Sequence, residues 1–250
     1  MLIQDTRAIV SGGASGLGLA VAELVVAAGG KVALFDVNDQ AGVDAVRKLG
    51  PAASFHKVDV TVESAVAAAV AAATTAMGGL NLAVSCAGVG WPKRMVGKEG
   101  TMPGDFFRKV IEINLVGTLL LCKEAAAAMQ QNTPNAAGER GALVMTASVA
   151  AYDGQIGQVA YAASKGGVVG MTLPMARELP SSGIRVVTIA PGLFMTPMLA
   201  ALPQEARDSR DPRVQEIRRE AGLSSVRMRS VRMRTEPARA GGTTALRAPG

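Results

Sequence analysis

The stretch Ala8-Ile9-Val10-Ser11-Gly12-Gly13-Ala14-Ser15-Gly16-Leu17-Gly18 decides how the chain is read. Three apolar residues enter a turn with four glycines, and an apolar segment with helical spacing, residues 17–28, follows. Glycine lets a backbone turn tightly and approach a pyrophosphate, whose charge sits well at a helix N-terminus. A Gly-rich turn alone is only a tight turn. Its place at the first strand–helix junction is what a phosphate cradle requires.

Outward from this turn the chain alternates regularly. Residues 31–35, 54–58, 82–85, 142–146 and 185–189 read as short apolar strands. Residues 39–49, 62–77, 105–130 and 161–179 read as helices. Continuous apolar strands separated by helices predict an α/β fold, a Rossmann-type doubly wound parallel sheet covered on both faces, in one domain over residues 1–206. Two segments break the rhythm: a loop over 89–104 with Trp91, Lys93, Arg94 and Lys98, and a polar loop over 131–141.

Composition narrows the function classes. The chain has 250 residues, 49% of them hydrophobic, which suits one large core. One histidine excludes chemistry built on several, and two distant cysteines form neither metal spacing nor a disulfide framework, so no metal is expected. With no secretory leader read at Met1, a cytoplasmic location is expected. The net charge of +6 suggests nucleic acid until its distribution is seen: residues 207–250 hold 11 arginines against five acids, and the body before them balances. That segment repeats Ser-Val-Arg-Met-Arg in tandem at 225–229 and 230–234 and has no aromatic residue. It reads as an atypical basic tail, largely unordered, with one helix expected near residues 213–221. Its abrupt loss of periodicity resembles translation in a wrong frame, which sequencing the gene around codons 207–212 tests.

Asp36 ends the second strand, 18 residues after Gly18. A carboxylate there accepts both ribose hydroxyls of NAD and repels a 2′-phosphate; its bland alternative is a helix cap. Tyr161-Ala162-Ala163-Ser164-Lys165 places a phenol and an ammonium on one helical face. A phenol with a pKa of about 10 is a poor base at neutral pH, and a neighbouring cation stabilises its phenolate. Tyr-x-x-x-Lys alone is most often a solvated face; Ser148, 13 residues upstream at a strand end, changes that reading.

The pattern over residues 5–205 resembles the short-chain dehydrogenase/reductase family. The family's cofactor loop matches Ser11-Gly12 through Gly16-Leu17-Gly18, and its adenine-contacting Asp matches Asp59, followed by Val60. Its Asn-Asn-Ala-Gly element matches Ser85-Cys86-Ala87-Gly88, without either bracing asparagine. Its helix asparagine matches Asn114, its reacting serine, tyrosine and lysine match Ser148, Tyr161 and Lys165, and its Pro-Gly and Thr match Pro191, Gly192 and Thr196. A closer resemblance, through residues 146–151, 154–158, 164–167, 170–174 and 188–194, is to the type 2 3-hydroxyacyl-CoA dehydrogenases, also called type 10 hydroxysteroid dehydrogenases, and their bacterial relatives.

The resemblance implies an NAD-dependent oxidoreductase interconverting a secondary alcohol and a ketone, with 3-hydroxyacyl-CoA and 3-oxoacyl-CoA the expected pair. Ser148, Tyr161, Lys165 and Asn114 are then catalytic: Tyr161 the base, Ser148 the oxyanion partner, Lys165 the tuner of Tyr161, and Asn114 the holder of a relay water. Asn114 has helix-kink packing as its alternative. Cofactor contacts are expected from Gly12, Ser15, Gly16, Leu17, Gly18, Asp36, Asp59, Val60, Cys86, Ala87, Gly88, Tyr161, Lys165, Pro191, Gly192, Leu193, Phe194 and Thr196. Substrate contacts are expected from Ser148, Gln155, Gln158 and Tyr161, although the two glutamines read equally well as helix-capping residues. Lys93, Arg94 and Lys98 can meet CoA phosphates or simply be solvated. Leu193, Phe194, Met195, Met198 and Leu199 suggest an apolar lid over an acyl chain or steroid. The resemblance also implies a dimer or homotetramer, with no membrane association. The competing readings are a hydroxysteroid dehydrogenase, a 3-oxoacyl carrier protein-type reductase, and a catalytically impaired protein that binds NAD, or nucleic acid through its tail. Asp36 argues against the second, the intact Ser148, Tyr161 and Lys165 against the third, and the absence of aromatic residues from the tail against nucleic acid.

Overall fold

The computed structural model describes residues 2–192, 194 and 196. Six parallel strands form the main sheet: β1 (Arg7–Ser11), β2 (Lys31–Asp36), β3 (Ala53–Lys57), β4 (Leu82–Ser85), β7 (Gly141–Thr146) and β8 (Ile184–Ile189). β5 (Val96–Gly97) and β6 (Gly100–Thr101) make a small antiparallel hairpin within the 89–104 loop. The main sheet runs β3-β2-β1-β4-β7-β8, so the chain reverses its direction of travel between β1 and β4. In open α/β sheets, ligands sit beyond the strand C-termini at this crevice.

The strands are apolar on both faces because both are covered. β1 is buried from Ala8 to Ser11, and β2 from Val32 to Phe35. On one face α1 (Gly16–Ala27) and α2 (Asp39–Leu49) pack Ala22, Val25 and Ala45 against Val10, Val32 and Leu34. On the other, α3 (Glu63–Met77), α5 (Gly117–Gln130) and α6 (Val159–Glu178) cover Ile9, Phe35, Leu143 and Met145. The alanine-rich α3 presents Val66, Ala69, Val70, Ala73 and Met77 to this core at helical spacing, and Gly78 ends it in the left-handed conformation with φ of 74°.

The helix read over 105–130 is interrupted. α4 (Gly104–Ile111) and α5 flank a π-helical turn, Glu112–Val116, with Asn114 at its centre. The interruption keeps the apolar period, which is why the sequence reads as one helix; π turns inside helices are frequently functional. The 131–141 loop is polar yet well bonded: Asn132 donates to the carbonyls of Leu80 and Arg140, and Asn135 accepts the N–H groups of Ala137 and Glu139. The basic tail over 207–250, its helix near 213–221, and Leu193, Met195, Met198 and Leu199 lie outside the described residues. No helix among the described residues is long and apolar enough to cross a membrane.

Candidate active site

The glycine turn is built for close approach, and its glycines answer different demands. Gly12 has φ of 64°, and a side-chain carbon there would lie 2.7 Å from the Ala87 nitrogen. Gly18 sits in α1 against the preceding turn, where such a carbon would lie 2.2 Å from the Gly12 carbonyl oxygen. Gly16 opens α1 with φ of 53°. Ser15 precedes it in extended conformation without spending its side chain on a cap, which leaves the first N–H groups of α1, around Gly16 and Leu17, without a side-chain acceptor. The Gly12 and Gly13 N–H groups bond instead to the Phe35 carbonyl, at 2.8 and 3.3 Å, tying the turn to β2.

Asp36 lies at the end of β2, facing this turn. Its carboxylate accepts the Ala14 N–H at 3.2 Å and the Asn38 N–H at 3.0 Å. It is not the cap of α2; Asn38 fills that role by accepting the Ala41 N–H at 3.1 Å. Asp59 accepts both the N–H and the hydroxyl of Thr61, at 2.9 and 2.7 Å, and Val60 beside it is buried against Gly117. These groups fit a dinucleotide: a cradle that any Cβ would fill, a helix N-terminus with open donors, and a fixed carboxylate one strand away.

β4 ends at Ser85, and Cys86-Ala87-Gly88 continues along the crevice. Without the asparagines, the brace is rebuilt: the Cys86 N–H bonds to the Ser11 carbonyl at 3.0 Å and the Ala87 N–H to the Ser11 hydroxyl at 3.3 Å. The Cys86 thiol lies 3.5 Å from the Thr146 hydroxyl. Burial raises its pKa, against the opposing pull of the Thr146 bond and the Lys165 charge, which disfavours the thiolate. Cys122 is deeper and is pushed up to about 12 by burial. The single histidine, His56, packs edge-on to Phe35 with centroids 5.4 Å apart, and its pKa is lowered by burial.

Ser148 follows β7 in extended backbone and accepts the Ala150 N–H at 3.1 Å, capping the short turn Val149–Ala151. The segment after it folds over the first turn of α6, where a Cβ on Gly154 would sit 3.1 Å from that of Ala162. The first two turns of α6 carry Tyr161 and Lys165. The Lys165 ammonium lies 5.8 Å from the Tyr161 ring centroid and donates to the Thr146 carbonyl at 2.7 Å. Lys165 is 5% exposed, and burial lowers its pKa to about 8. Gly88 closes the group: a Cβ there would stand 3.0 Å from Asn114 Oδ1 and 3.7 Å from Lys165 Nζ.

Asn114 is fully buried and its side-chain amide is completely engaged. Oδ1 accepts the Val89 N–H at 2.8 Å, while Nδ2 donates to the Val89 carbonyl at 2.9 Å and to the Ser164 hydroxyl at 3.0 Å. Its main-chain carbonyl accepts the Thr118 hydroxyl at 2.8 Å. Gln158 is buried and accepts the Gln155 N–H at 2.8 Å, closing the turn before α6, while Gln155 is half-buried. The Val149 N–H bonds to the Pro191 carbonyl at 3.0 Å, bringing Pro191 and Gly192 beside Ser148. Phe194 is exposed and Thr196 half-buried.

The 89–104 loop meets α4 in a mixed aromatic and basic cluster. Trp91 and Phe106 stand 6.3 Å apart; Lys93 lies 5.7 Å over Phe106 and Lys109 5.9 Å over Trp91. The Lys93 N–H also bonds to the Gly157 carbonyl at 2.9 Å, joining this loop to the turn before α6. Sequence reading missed Phe106 and Lys109, which belong to a helix whose exposed face looks ordinary. It missed Thr146 because only the backbone carbonyl acts. It overlooked Ser164, although this residue lies inside the Tyr161–Lys165 motif.

The model of a family described as short chain dehydrogenase matches residues 6–207. The chain is 46% identical over 208 residues to the 3-hydroxyacyl-CoA dehydrogenase type-2 of Bos taurus, covering 82% of this chain and 80% of that protein. To the Drosophila melanogaster protein of that name it is 48% identical, covering 82% of each. The crystal structure of 3-hydroxyacyl-CoA dehydrogenase type-2 from Mycobacterium avium superposes with a TM-score of 0.74 at 44% identity, over 82% of this chain and 80% of that one.

Proposed function

Because the chain belongs to the short-chain dehydrogenase family, and is therefore an oxidoreductase acting on CH–OH groups with a nicotinamide cofactor, we propose that it interconverts 3-hydroxyacyl-CoA and 3-oxoacyl-CoA with NAD. The carrying observation is the contact between the buried Lys165 ammonium and Tyr161 at the mouth of the crevice that the glycine turn opens. The type-2 relatives' shared name supports the acyl-CoA substrate.

Bound nicotinamide supplies the hydride acceptor in alcohol oxidation and the donor in the reverse. The turn 12–18 would hold its pyrophosphate, Asp36 the adenosine ribose, and Lys165 the nicotinamide ribose. Tyr161, as phenolate, takes the substrate hydroxyl proton, and Ser148 donates a hydrogen bond to the same oxygen as its charge changes. The Lys165 charge favours the Tyr161 phenolate. A relay water is assigned to the Asn114 main-chain carbonyl, since its side chain is spent on Val89 and Ser164. The Trp91–Phe106 pair with Lys93 and Lys109 supports a binding wall for the adenine and phosphates of CoA. Gln155 faces substrate in this reading, while Gln158 shapes the turn.

NAD over NADP follows from Asp36, whose fixed carboxylate repels a 2′-phosphate. Self-association is supported by Leu119 on α5 and Leu173 on α6, exposed at 41% and 40%. A reducing compartment suits the free thiols Cys86 and Cys122. NADH oxidation with acetoacetyl-CoA tests the whole reading. Turnover is expected with NADH and strongly reduced with NADPH, and Tyr161→Phe is expected to abolish it while NADH still binds. Retained turnover in Tyr161→Phe would sink the scheme, and faster rates with steroids than with acyl-CoAs of any length would move the substrate assignment.

A further inference from the structure

We propose that Ser164 is a positioning residue of the reaction, a buried hydroxyl that holds the Tyr161–Lys165 turn of α6 in register with the strand end that receives the cofactor. The proposal rests on the catalytic reading of Tyr161 and Lys165.

Ser164 is wholly buried within α6. A hydroxyl there costs stability unless both its donor and its acceptor capacity are used. Both are: it donates to the Tyr161 carbonyl at 2.7 Å and accepts from Asn114 Nδ2 at 3.0 Å. Asn114 passes the link on by pairing with both the N–H and the carbonyl of Val89, directly after Gly88. A continuous chain of hydrogen bonds therefore runs from the residue after the Cys86-Ala87-Gly88 strand end, through the π-helical turn, to the backbone of Tyr161. Its members lie 25 and 50 residues apart along the sequence, so this is a tertiary brace and not helix chemistry.

The brace passes where tolerance is smallest. A carbon on Gly88 would stand 3.0 Å from Asn114 Oδ1, tighter than ordinary contact, and 3.7 Å from Lys165 Nζ. Removing the Ser164 hydroxyl would strand one Asn114 N–H in a buried site, and the stranded donor would draw Asn114 or Val89 toward a new partner. The first turn of α6 would then sit differently against Gly88, and Tyr161 and Lys165 with it. Misplacement of this kind lowers the chemical rate far more than it lowers binding.

Ser164→Ala is expected to lower kcat with acetoacetyl-CoA by roughly tenfold to a hundredfold. It is also expected to shift the apparent pKa of the pH–kcat profile while changing the Kd for NADH far less than kcat. Ser164→Cys, which keeps a weak donor of similar size, should recover part of the rate. In an Asn114→Ala background, Ser164→Ala should cost little more, because both substitutions cut the same chain. Wild-type kcat and pH profile in Ser164→Ala, or a fall in Tm alone, overturns the proposal. So does a Ser164→Cys variant no better than alanine. Should the alanine variant fail to fold, Ser164→Cys carries the test, with a lowered kcat and a shifted profile expected and unchanged values overturning it. Tyr161→Phe assayed alongside separates the two claims: turnover retained there removes the catalytic reading, whereas an inactive Tyr161→Phe beside a normal Ser164→Ala removes only the role of Ser164.

Discussion

The Lys165 ammonium is kept out of water at a cost, to which the proposed reaction gives a use. The residue is 5% exposed, and burial lowers its pKa from 10.5 to about 8. Holding that charge out of water costs about 3 kcal/mol near neutral pH, by the conversion of roughly 1.4 kcal/mol per unit. The folded protein releases this proton near pH 8 and the unfolded chain only near 10.5, so stability from this group rises with pH between those values and is lowest below 8. Lys165→Met, which keeps the volume and removes the charge, should therefore raise the Tm of the cofactor-free enzyme at pH 7. That advantage should shrink toward pH 10, and a pH-independent difference in calorimetry would refute it. At the same scale, Asp36→Ala should raise KM for NADH and narrow the preference over NADPH, read from kcat/KM with each cofactor. Tyr161, Lys165, Ser148 and Asp36 could be singled out as candidates from the sequence because their spacing is read along the chain. The group that Lys165 touches, a backbone carbonyl of Thr146, could not.

Among the elements, the turn 12–18 and the π-helical turn contrast in legibility. Glycines mark the first openly, since each serves a backbone need that no other residue meets. Gly18→Ala would force a carbon to 2.2 Å from the Gly12 carbonyl oxygen, a rigid neighbour that cannot yield cheaply. Stability should fall by about 3 kcal/mol, seen as a lower urea midpoint, together with loss of NADH binding by fluorescence titration. A soluble Gly18→Ala variant with normal midpoint and affinity would show that the packing relaxes. The π turn leaves no such mark, because one extra residue per turn barely alters the apolar pattern of 105–130. Its consequence, Asn114 turned inward onto Val89, appears only when the helix is packed against β4.

For the whole molecule, the order β3-β2-β1-β4-β7-β8 gathers the ends of β1, β4 and β7 around one crevice, and the turn 12–18, Cys86–Gly88 and Ser148 all issue from those ends. Every described residue of the proposed site lies at or before Thr196, and the family model ends at residue 207. A chain ending at Ala206 should therefore match the full chain in kcat with acetoacetyl-CoA and in Kd for NADH. A large loss of either would give the basic 207–250 segment a part in the active enzyme. The alternation of strand and helix, the glycine turn and the tyrosine–lysine spacing could be read from the amino acids alone, because each is written in residues a few positions apart. It takes the folded chain to show that Asn114 clamps Val89 and Ser164, that Lys165 rests on Thr146, and that Lys93 and Lys109 lie over aromatic rings. Most of those contacts join residues far apart in the chain, even the nearer ones depend on how loop and helix fold together, and a hydrogen bond between distant residues has no period for a sequence to display.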